Sequence, residues 1–225
     1  MNTKDLATNS DFIRKHIHRF CVQKKSGLWL LAICFLVTGC AANAPRNADD
    51  LCVIFKQKND WYKAAKRTEK RWKVPLQVPM AMMYQESSFK AKARPPKDYL
   101  LGVIPWGHVS SAYGYAQAKT GTWKDYKRET CNRWADRDDF SDAIDFMGWF
   151  MDKTYRINKV SKWDARGQYL NYHDGWGGYR KGTHKKKAWL LATADKVKTR
   201  ASRYGVQYRQ CKKELDSGWF KGLFM

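Results

Sequence analysis

The stretch VPMAMMYQESSFKAKARPP (residues 78–96) ends an apolar run with a single acid, Glu86. Pro79 suits the first turn of a helix, because the N–H group that it lacks is not needed there. Met82 and Met83 stand four and three residues before Glu86, so the three side chains share one face of that helix. The sequence therefore predicts a carboxyl group that faces the apolar side near the end of a helix.

Two effects act on a carboxyl group in that position. Removal from water disfavours the ionised form and raises the pKa of the group. The carbonyl end of the helix dipole repels negative charge and acts in the same direction. We therefore expect Glu86 to be a proton donor that stays protonated near neutral pH. An exposed glutamate at a frayed helix end is the alternative that this stretch alone leaves open.

Helical periodicity extends through most of the chain around this stretch and predicts an all-α or mainly α fold. No strand alternation of useful length appears. Residues 90–117 are rich in Pro and Gly and are predicted to form a long loop, of the kind that often borders a site. The apolar stripes consist of Trp61, Ala65, Thr68 and Trp72; Phe140, Ala143, Ile144, Met147 and Met151; and Leu190, Ala194, Val197, Ala201, Tyr204, Tyr208, Cys211 and Leu215.

Residues 1–39 have the features of an export signal. The basic segment IRKHIHRFCVQKK precedes the apolar segment GLWLLAICFLV and the small residues TGC, which is the order of a secretory signal peptide. The apolar segment is shorter than the ~20 residues of a membrane-spanning helix. LVTGC also resembles a bacterial lipobox, which implies lipidation of Cys40 and, with Ala41 after it, sorting to the outer membrane. An uncleaved inner-membrane anchor is the alternative.

The remaining chain is predicted to be a tether at residues 40–50 and a single domain at residues 51–225 in the periplasm. Three cysteines follow Cys40, and disulfides persist in an exported protein. A Cys52–Cys211 pair is favoured, because it would tie the first helix to the last and leave Cys131 free. Three buried thiols are the alternative, since sequence alone does not fix connectivity. No metal site is expected, because the C-x-x-C and H-x-x-x-H spacings are missing.

The formal net charge of +22 is strongly basic. Nucleic acid is the usual partner of such a charge, but the export signal argues against it. Peptidoglycan peptides and lipopolysaccharide are anionic, so a basic surface would hold an exported protein on its polymer. A solvated lysine face explains any single basic run equally well. The 11 tryptophans suit a glycan-binding cleft.

Three short motifs follow one another along the chain: ESSF, then SAYGYAQAKTGTW, then YLNYHDGWGGY. In order and spacing they resemble the lytic transglycosylase family of the goose-lysozyme-like superfamily. Members of that family carry Glu-Ser, a Gly-Leu-Met-Gln-like motif and an Ala-Tyr-Asn-Ala-Gly-like motif, which correspond here to residues 86–87, 114–117 and 171–175. The strings ARPP, SSAYGYAQ and DAIDF resemble a lipoprotein branch of the family.

The resemblance implies a lysozyme-like fold and cleavage of peptidoglycan between N-acetylmuramic acid and N-acetylglucosamine. The product would carry a 1,6-anhydro ring, because the C6 hydroxyl of the sugar attacks in place of water. One carboxylic acid then suffices, whereas most glycosidases need two. The resemblance assigns this role to Glu86, first as acid and then as base. No cofactor is expected.

The same resemblance suggests residues that bind the substrate. Ser87 is expected to orient the Glu86 carboxyl group or a sugar by hydrogen bonding. Gln117 is expected to bind an N-acetyl group through the donor and the acceptor of its amide. Tyr172 is expected to hydrogen-bond Glu86 or the substrate while its ring forms a wall of the cleft.

Tyr113 and Tyr115 are expected either to stack on sugar rings or to pack in the core. His173 stands where the broader family has asparagine. It replaces the hydrogen bond of that amide, adds a group that titrates near neutrality, or packs as an ordinary histidine. No role is assigned to the spare carboxylates, although one near the cleft would reopen a hydrolytic mechanism; they are Asp98, Asp125 and Asp174.

These features together predict an exported, lipid-anchored lytic transglycosylase that acts on peptidoglycan. Two other functions stay open. A muramidase would use water in the same cleft. A non-catalytic peptidoglycan-binding component of an envelope or secretion machine would keep the fold without the reaction.

Overall fold

Helices form most of the regular secondary structure in the described part of the chain, which confirms the prediction of a mainly α fold. The computed structural model describes residues 44–100 and 104–221, with side chains at 44–97 and 108–217. A 3-10 turn at Thr183–Lys186 precedes the last helix. The helices are α1 (Leu51–Gln57), α2 (Asn59–Trp72), α3 (Gln77–Ser87), α4 (Thr120–Thr130), α5 (Phe140–Asn158), α6 (Ala165–Lys181) and α7 (Ala188–Lys221).

The long helix α7 is the element on which α1, α3 and α6 pack. Every residue of its predicted apolar stripe is buried, with each side chain at most 7% exposed. Exposed lysines and arginines, among them Lys196, Lys198 and Arg209, occupy the opposite side. The helix is therefore amphipathic, and its solvent-facing side carries part of the positive charge of the chain.

An aromatic cluster holds the start of α2 against the start of α5. The ring of Trp61 stacks on that of Phe140 with 3.9 Å between the centroids, and it contacts Tyr115 edge to face at 5.5 Å. Farther along the pair, a Cβ atom at Gly148 would lie 2.5 Å from the Trp72 side chain. A glycine is required at this close approach of the two helices.

A disulfide bond joins Cys52 of α1 to Cys211 of α7 across a sequence separation of 159 residues. This is the pairing that the sequence favours. Cys131, at the end of α4, is a free and exposed thiol. Beside the disulfide, the Leu51 N–H group donates to the Gln207 side-chain oxygen at 3.0 Å. Covalent and hydrogen bonds thus fix the first described helix to the last.

A short stretch before α1 is packed against α7. The Ala48 carbonyl oxygen accepts a hydrogen bond from the Tyr204 hydroxyl. The Asp49 carboxylate forms ion pairs with Arg200 and Arg203 at 2.6 and 2.8 Å. Sequence reasoning assigns these residues to a polar tether, and their contacts join them to the folded domain.

The segment predicted to be a long loop contains a two-stranded antiparallel sheet, so the loop prediction was wrong for the residues of the two strands. β1 (Lys97–Leu100) pairs with β2 (Ile104–His108), and Tyr99 stands opposite Pro105. Strands of this length show little alternation, and a proline normally argues against a strand. Pro105 is tolerated because each strand of a two-stranded sheet has one unpaired edge.

The predicted signal peptide, residues 1–39, and the predicted lipidation site, Cys40, lie outside the described residues. Within residues 44–100 and 104–221, no helix combines the length and the apolar character that a membrane crossing needs.

Candidate active site

Glu86 is the penultimate residue of α3. Met82 and Met83, one turn before it, are fully buried. The helix ends because Ser88 and Phe89 take left-handed conformations, with φ angles of 51° and 60°. The half-buried carboxyl group therefore stands where the chain turns away from the helix, beside buried apolar side chains, as the sequence predicts.

A groove with a volume of about 500 Å³ opens at this end of α3. Its wall combines aromatic rings with a few polar groups, which is typical of a ligand site. Four of the predicted site residues line it. The lining residues are Glu86, Pro95, Ser110, Ala112, Gln117, Ala118, Lys119, Thr122, Phe146, Phe150, Tyr172, His173, Asp174, Gly175 and Trp176.

The surroundings of Glu86 favour its protonated form. Burial raises the pKa of the Glu86 carboxyl group from its ordinary value of 4.5 to about 7, against an opposing effect of a hydrogen bond from Tyr169. The position at the C-terminus of α3 adds to the cost of a negative charge there. A carboxyl group with a pKa near 7 both donates and accepts protons efficiently at neutral pH.

Tyr169 of α6 is a member of the site that sequence reasoning missed. Its side chain is buried, and its hydroxyl is within hydrogen-bonding reach of the Glu86 carboxyl group. Burial, and then the proximity of Glu86, raise the pKa of the Tyr169 phenol, which stays a neutral donor. The sequence did carry a signal for Tyr169: it stands three residues before Tyr172, and residues so spaced share a helix face.

Tyr172 forms a wall of the groove, as expected, but its hydroxyl does not bind Glu86. The hydroxyl donates to the Ala116 carbonyl oxygen. Its ring stands edge to face with Phe150 at 4.9 Å. Burial raises the pKa of the Tyr172 phenol well above its ordinary value. The expected bond to Glu86 belongs to Tyr169 because Tyr172 lies one turn farther along α6 and reaches the segment after β2.

Gln117 lines the groove with only half of its amide free. Its Nε2 group donates to the carbonyl oxygens of Ala93 and Gly114 at 2.8 and 2.9 Å. These bonds hold a backbone turn in which Gln117 has a φ angle of 50°. The expectation that both the donor and the acceptor bind substrate was wrong for the donor, and the side-chain oxygen is left to accept.

A comparison with protein families shows the family of the chain. The family model described as the transglycosylase SLT domain matches residues 28–211, which is most of the chain. The chain belongs to the transglycosylase SLT domain family. Membership indicates lytic transglycosylase activity on peptidoglycan. Searches of curated proteins and of solved structures gave no match.

Two of the expected substrate-binding residues of the SLT domain lie in its interior. The Ser87 hydroxyl donates to the Tyr115 carbonyl oxygen at 2.7 Å and is buried. Tyr115 is 1% exposed and packs on Trp61 and Phe140. Neither side chain lines the groove. Ser87 follows Glu86 by one residue and therefore points to another side of α3, and the ring of Tyr115 packs in the core. Ser87 instead fastens α3 to the Gly-Tyr-Ala-Gln segment.

Tyr113 is also engaged by protein groups. Its hydroxyl donates to Asp138 at 2.9 Å. The guanidinium groups of Arg94 and Arg137 lie 4.4 and 5.3 Å from the centre of its ring. The alternative of sugar stacking was wrong for Tyr115, whose ring is buried. The half-buried ring of Tyr113 lies outside the groove lining, and its stacking on a sugar stays a prediction.

His173 lines the groove of the SLT domain and contacts Trp189 edge to face, with 4.8 Å between the ring centres. Burial, followed by the charges of Lys187 and Lys119, lowers the pKa of His173 from 6.5. The imidazole is therefore neutral at pH 7, with one nitrogen that donates and one that accepts.

One spare carboxylate, Asp174, lies at the groove. Its side chain is 2% exposed, and its two oxygens are hydrogen-bonded by Lys187 and Thr183. Burial alone would raise the pKa of Asp174, but these bonds outweigh it and lower the pKa. The group is an ionised, fully engaged carboxylate. Asp125 lies outside the groove, and the side chain of Asp98 lies outside the described residues.

Proposed function

We propose that the SLT domain cleaves peptidoglycan between N-acetylmuramic acid and N-acetylglucosamine and forms 1,6-anhydromuramic ends, with Glu86 as acid and then as base. The observation that carries the proposal is a carboxyl group with a pKa of about 7 in the wall of an aromatic groove. Such a group supplies the proton that a glycosidic leaving oxygen needs.

The reaction uses one carboxyl group in two steps. The Glu86 proton passes to the glycosidic oxygen while the bond from that oxygen to C1 of N-acetylmuramic acid breaks. The C6 hydroxyl oxygen of the same sugar bonds to C1, and its proton passes to the Glu86 carboxylate. The acid is regenerated, and no water is consumed.

Neighbouring residues hold the acid and the sugar in place. Tyr169 orients the Glu86 carboxyl group and stabilises its ionised form between the two steps. The side-chain oxygen of Gln117 accepts the N–H of an N-acetyl group. The aromatic wall, which includes Tyr172 and Trp176, offers flat apolar faces to the sugar rings.

The two alternatives are less well supported. A muramidase needs a second group to activate water or to bond to the sugar. Among the lining residues, only Asp174 is a second acid, and both of its oxygens are engaged. A passive binding component of an envelope or secretion machine has no use for a carboxyl group with a raised pKa, whose burial costs stability.

The chemical form of the product tests the proposal. We expect digestion of purified sacculi by the full-length chain to give muropeptides with 1,6-anhydro ends, which mass spectrometry distinguishes because they lack the elements of one water molecule. Sacculi digested with a hydrolytic muramidase are the reference. Predominantly reducing ends, detected by borohydride reduction before mass spectrometry, would replace the proposal with the muramidase alternative.

Tyr169→Phe provides a second test, through the pH profile. The variant loses the hydroxyl that stabilises the carboxylate, so the pKa of Glu86 should rise above about 7. The first step needs protonated Glu86, and activity therefore falls as the pH rises through this pKa. We expect the alkaline limb of kcat/KM to move to higher pH. Tyr126→Phe, which removes a phenol bonded to Asp145, should leave the limb in place; equal profiles for all three proteins would contradict the assignment.

We further propose that residues 1–39 are a lipoprotein signal, that lipidated Cys40 anchors the protein in the outer membrane, and that residues 40–50 and 51–225 are the tether and the periplasmic transglycosylase domain. The order of basic, apolar and small residues before Cys40 supports this proposal. The likeness of ARPP, SSAYGYAQ and DAIDF to a lipoprotein branch of the family supports it as well. The Cys52–Cys211 disulfide supports export, because such bonds persist in oxidising compartments.

A further inference from the structure

The wall of the groove carries a lysine whose charge is uncompensated. Lys119 directly precedes α4 and lines the groove two residues after Gln117. Among the residues whose side chains are described, no acidic group pairs with its ammonium group. The residue is exposed, so its ammonium group reaches a ligand without loss of an existing bond.

The other titratable groups of the groove and its surroundings leave that charge in place. His173 lies near enough for the charge of Lys119 to lower the pKa of the imidazole, and it is neutral at pH 7. Lys187 adds a second positive charge near His173, but Asp174 neutralises it through an ion pair. The only other acid in the lining is Glu86, whose pKa is about 7. The part of the wall that Lys119 and His173 form is therefore positive when the groove is empty.

The two sugars of peptidoglycan differ in charge. N-acetylglucosamine carries no ionised group. N-acetylmuramic acid carries a lactyl group that ends in a free carboxylate or continues into a peptide with carboxylates of its own. A positively charged part of the groove wall that includes an uncharged histidine is complementary to such an anion.

We propose that Lys119, with His173 beside it, binds a carboxylate borne by the muramic acid side of the substrate and so favours peptidoglycan over neutral glycans. This inference rests on the proposed function for the identity of the polymer. Lys119 supplies the charge, and the neutral imidazole of His173 supplies a hydrogen bond. The residue sets specificity and takes no part in the proton transfers of Glu86.

Binding measurements test this inference without turnover. In the full-length Glu86→Gln protein, calorimetry gives the Kd of three oligosaccharides of equal length: a neutral N-acetylglucosamine oligomer, a peptide-free peptidoglycan oligomer and a peptide-bearing one. Lys119→Glu should weaken binding of the anionic oligomers about tenfold or more and leave the neutral one unchanged. Loss with both anionic oligomers identifies the lactyl carboxylate, and loss with the peptide-bearing oligomer alone identifies the peptide.

Lys124→Glu is the matched control, because it makes the same change of charge on an exposed residue of α4 outside the groove. Equal weakening by the two variants, equal weakening of neutral and anionic oligomers by Lys119→Glu, or no weakening would overturn the inference. The proposed reaction fails separately: reducing ends in the product assay would contradict it while leaving the charge-dependent binding intact.

Discussion

Glu86→Gln is expected to lower the rate of peptidoglycan cleavage roughly 1,000-fold, which lies within the range that general acid–base groups contribute. The amide keeps the size of the side chain but neither protonates the leaving oxygen nor accepts the C6 hydroxyl proton. Release of soluble muropeptides from purified sacculi measures the rate. Glu69→Gln is the matched control: Glu69 pairs with Lys66 at 2.5 Å on α2, outside the groove, and its loss should leave the rate nearly unchanged.

The same substitution has a second expected effect, on stability. Between pH 4.5 and about 7 the folded protein holds a proton on Glu86 that the unfolded chain has released, so rising pH removes stability across this window. Glutamine does not titrate. Glu86→Gln should therefore gain about 3 kcal/mol in free energy of unfolding relative to the wild type on going from pH 4 to pH 8. Urea titrations at the two pH values measure this.

These two results separate chemistry from folding. A variant that is inactive and relatively more stable at pH 8 has lost a proton donor whose pKa is raised in the folded protein. A variant that releases muropeptides at the wild-type rate would refute the catalytic role of Glu86. A stability difference that is the same at both pH values would show that the carboxyl group titrates as an exposed one.

Removal of the Cys52–Cys211 disulfide is the other large effect that we expect. The bond closes a loop of 159 residues in sequence separation, and cross-links of long loops restrict the unfolded chain most. The Cys52→Ser, Cys211→Ser double variant should lose about 3 to 5 kcal/mol of free energy of unfolding. Urea unfolding followed by circular dichroism measures the loss, and reductant should shift the wild-type midpoint toward that of the variant.

Cys131→Ser controls for the removal of a cysteine without the removal of a cross-link. The thiol is free and exposed, so its replacement should change stability by less than about 0.5 kcal/mol. If reductant left the wild-type urea midpoint where it was, the bond would contribute nothing to stability in solution, and the prediction would be contradicted.

The sequence predicted the features that depend on local spacing. The apolar stripes of α5 and α7 repeat at helical intervals over many residues. Every residue of these two stripes is buried in the core, so the packing follows the period of the sequence. The position of the Glu86 side chain on the apolar face of α3 was predictable for the same reason, since Met82 and Met83, one turn earlier, are buried on that face.

The parts that sequence reasoning missed depend on contacts between distant segments. The choice between Tyr169 and Tyr172 as the partner of Glu86 is set by how α6 lies against α3, which no local pattern records. Ser87 adjoins the acid in sequence, but a step of one residue turns the side chain to another side of the helix. The β1–β2 pair was missed because its strands are too short for a periodic signal.

The length of α7 has a consequence for where an anchored enzyme works. Trp189, in its first turn, touches the groove at His173, whereas Cys211 holds α1 and the incoming chain. At 1.5 Å per residue, the 22 positions between them span about 33 Å. If a lipid is attached at Cys40, α7 separates the groove from the attached end of the domain. Glu86 can then act on glycan strands that lie tens of ångströms from the bilayer surface.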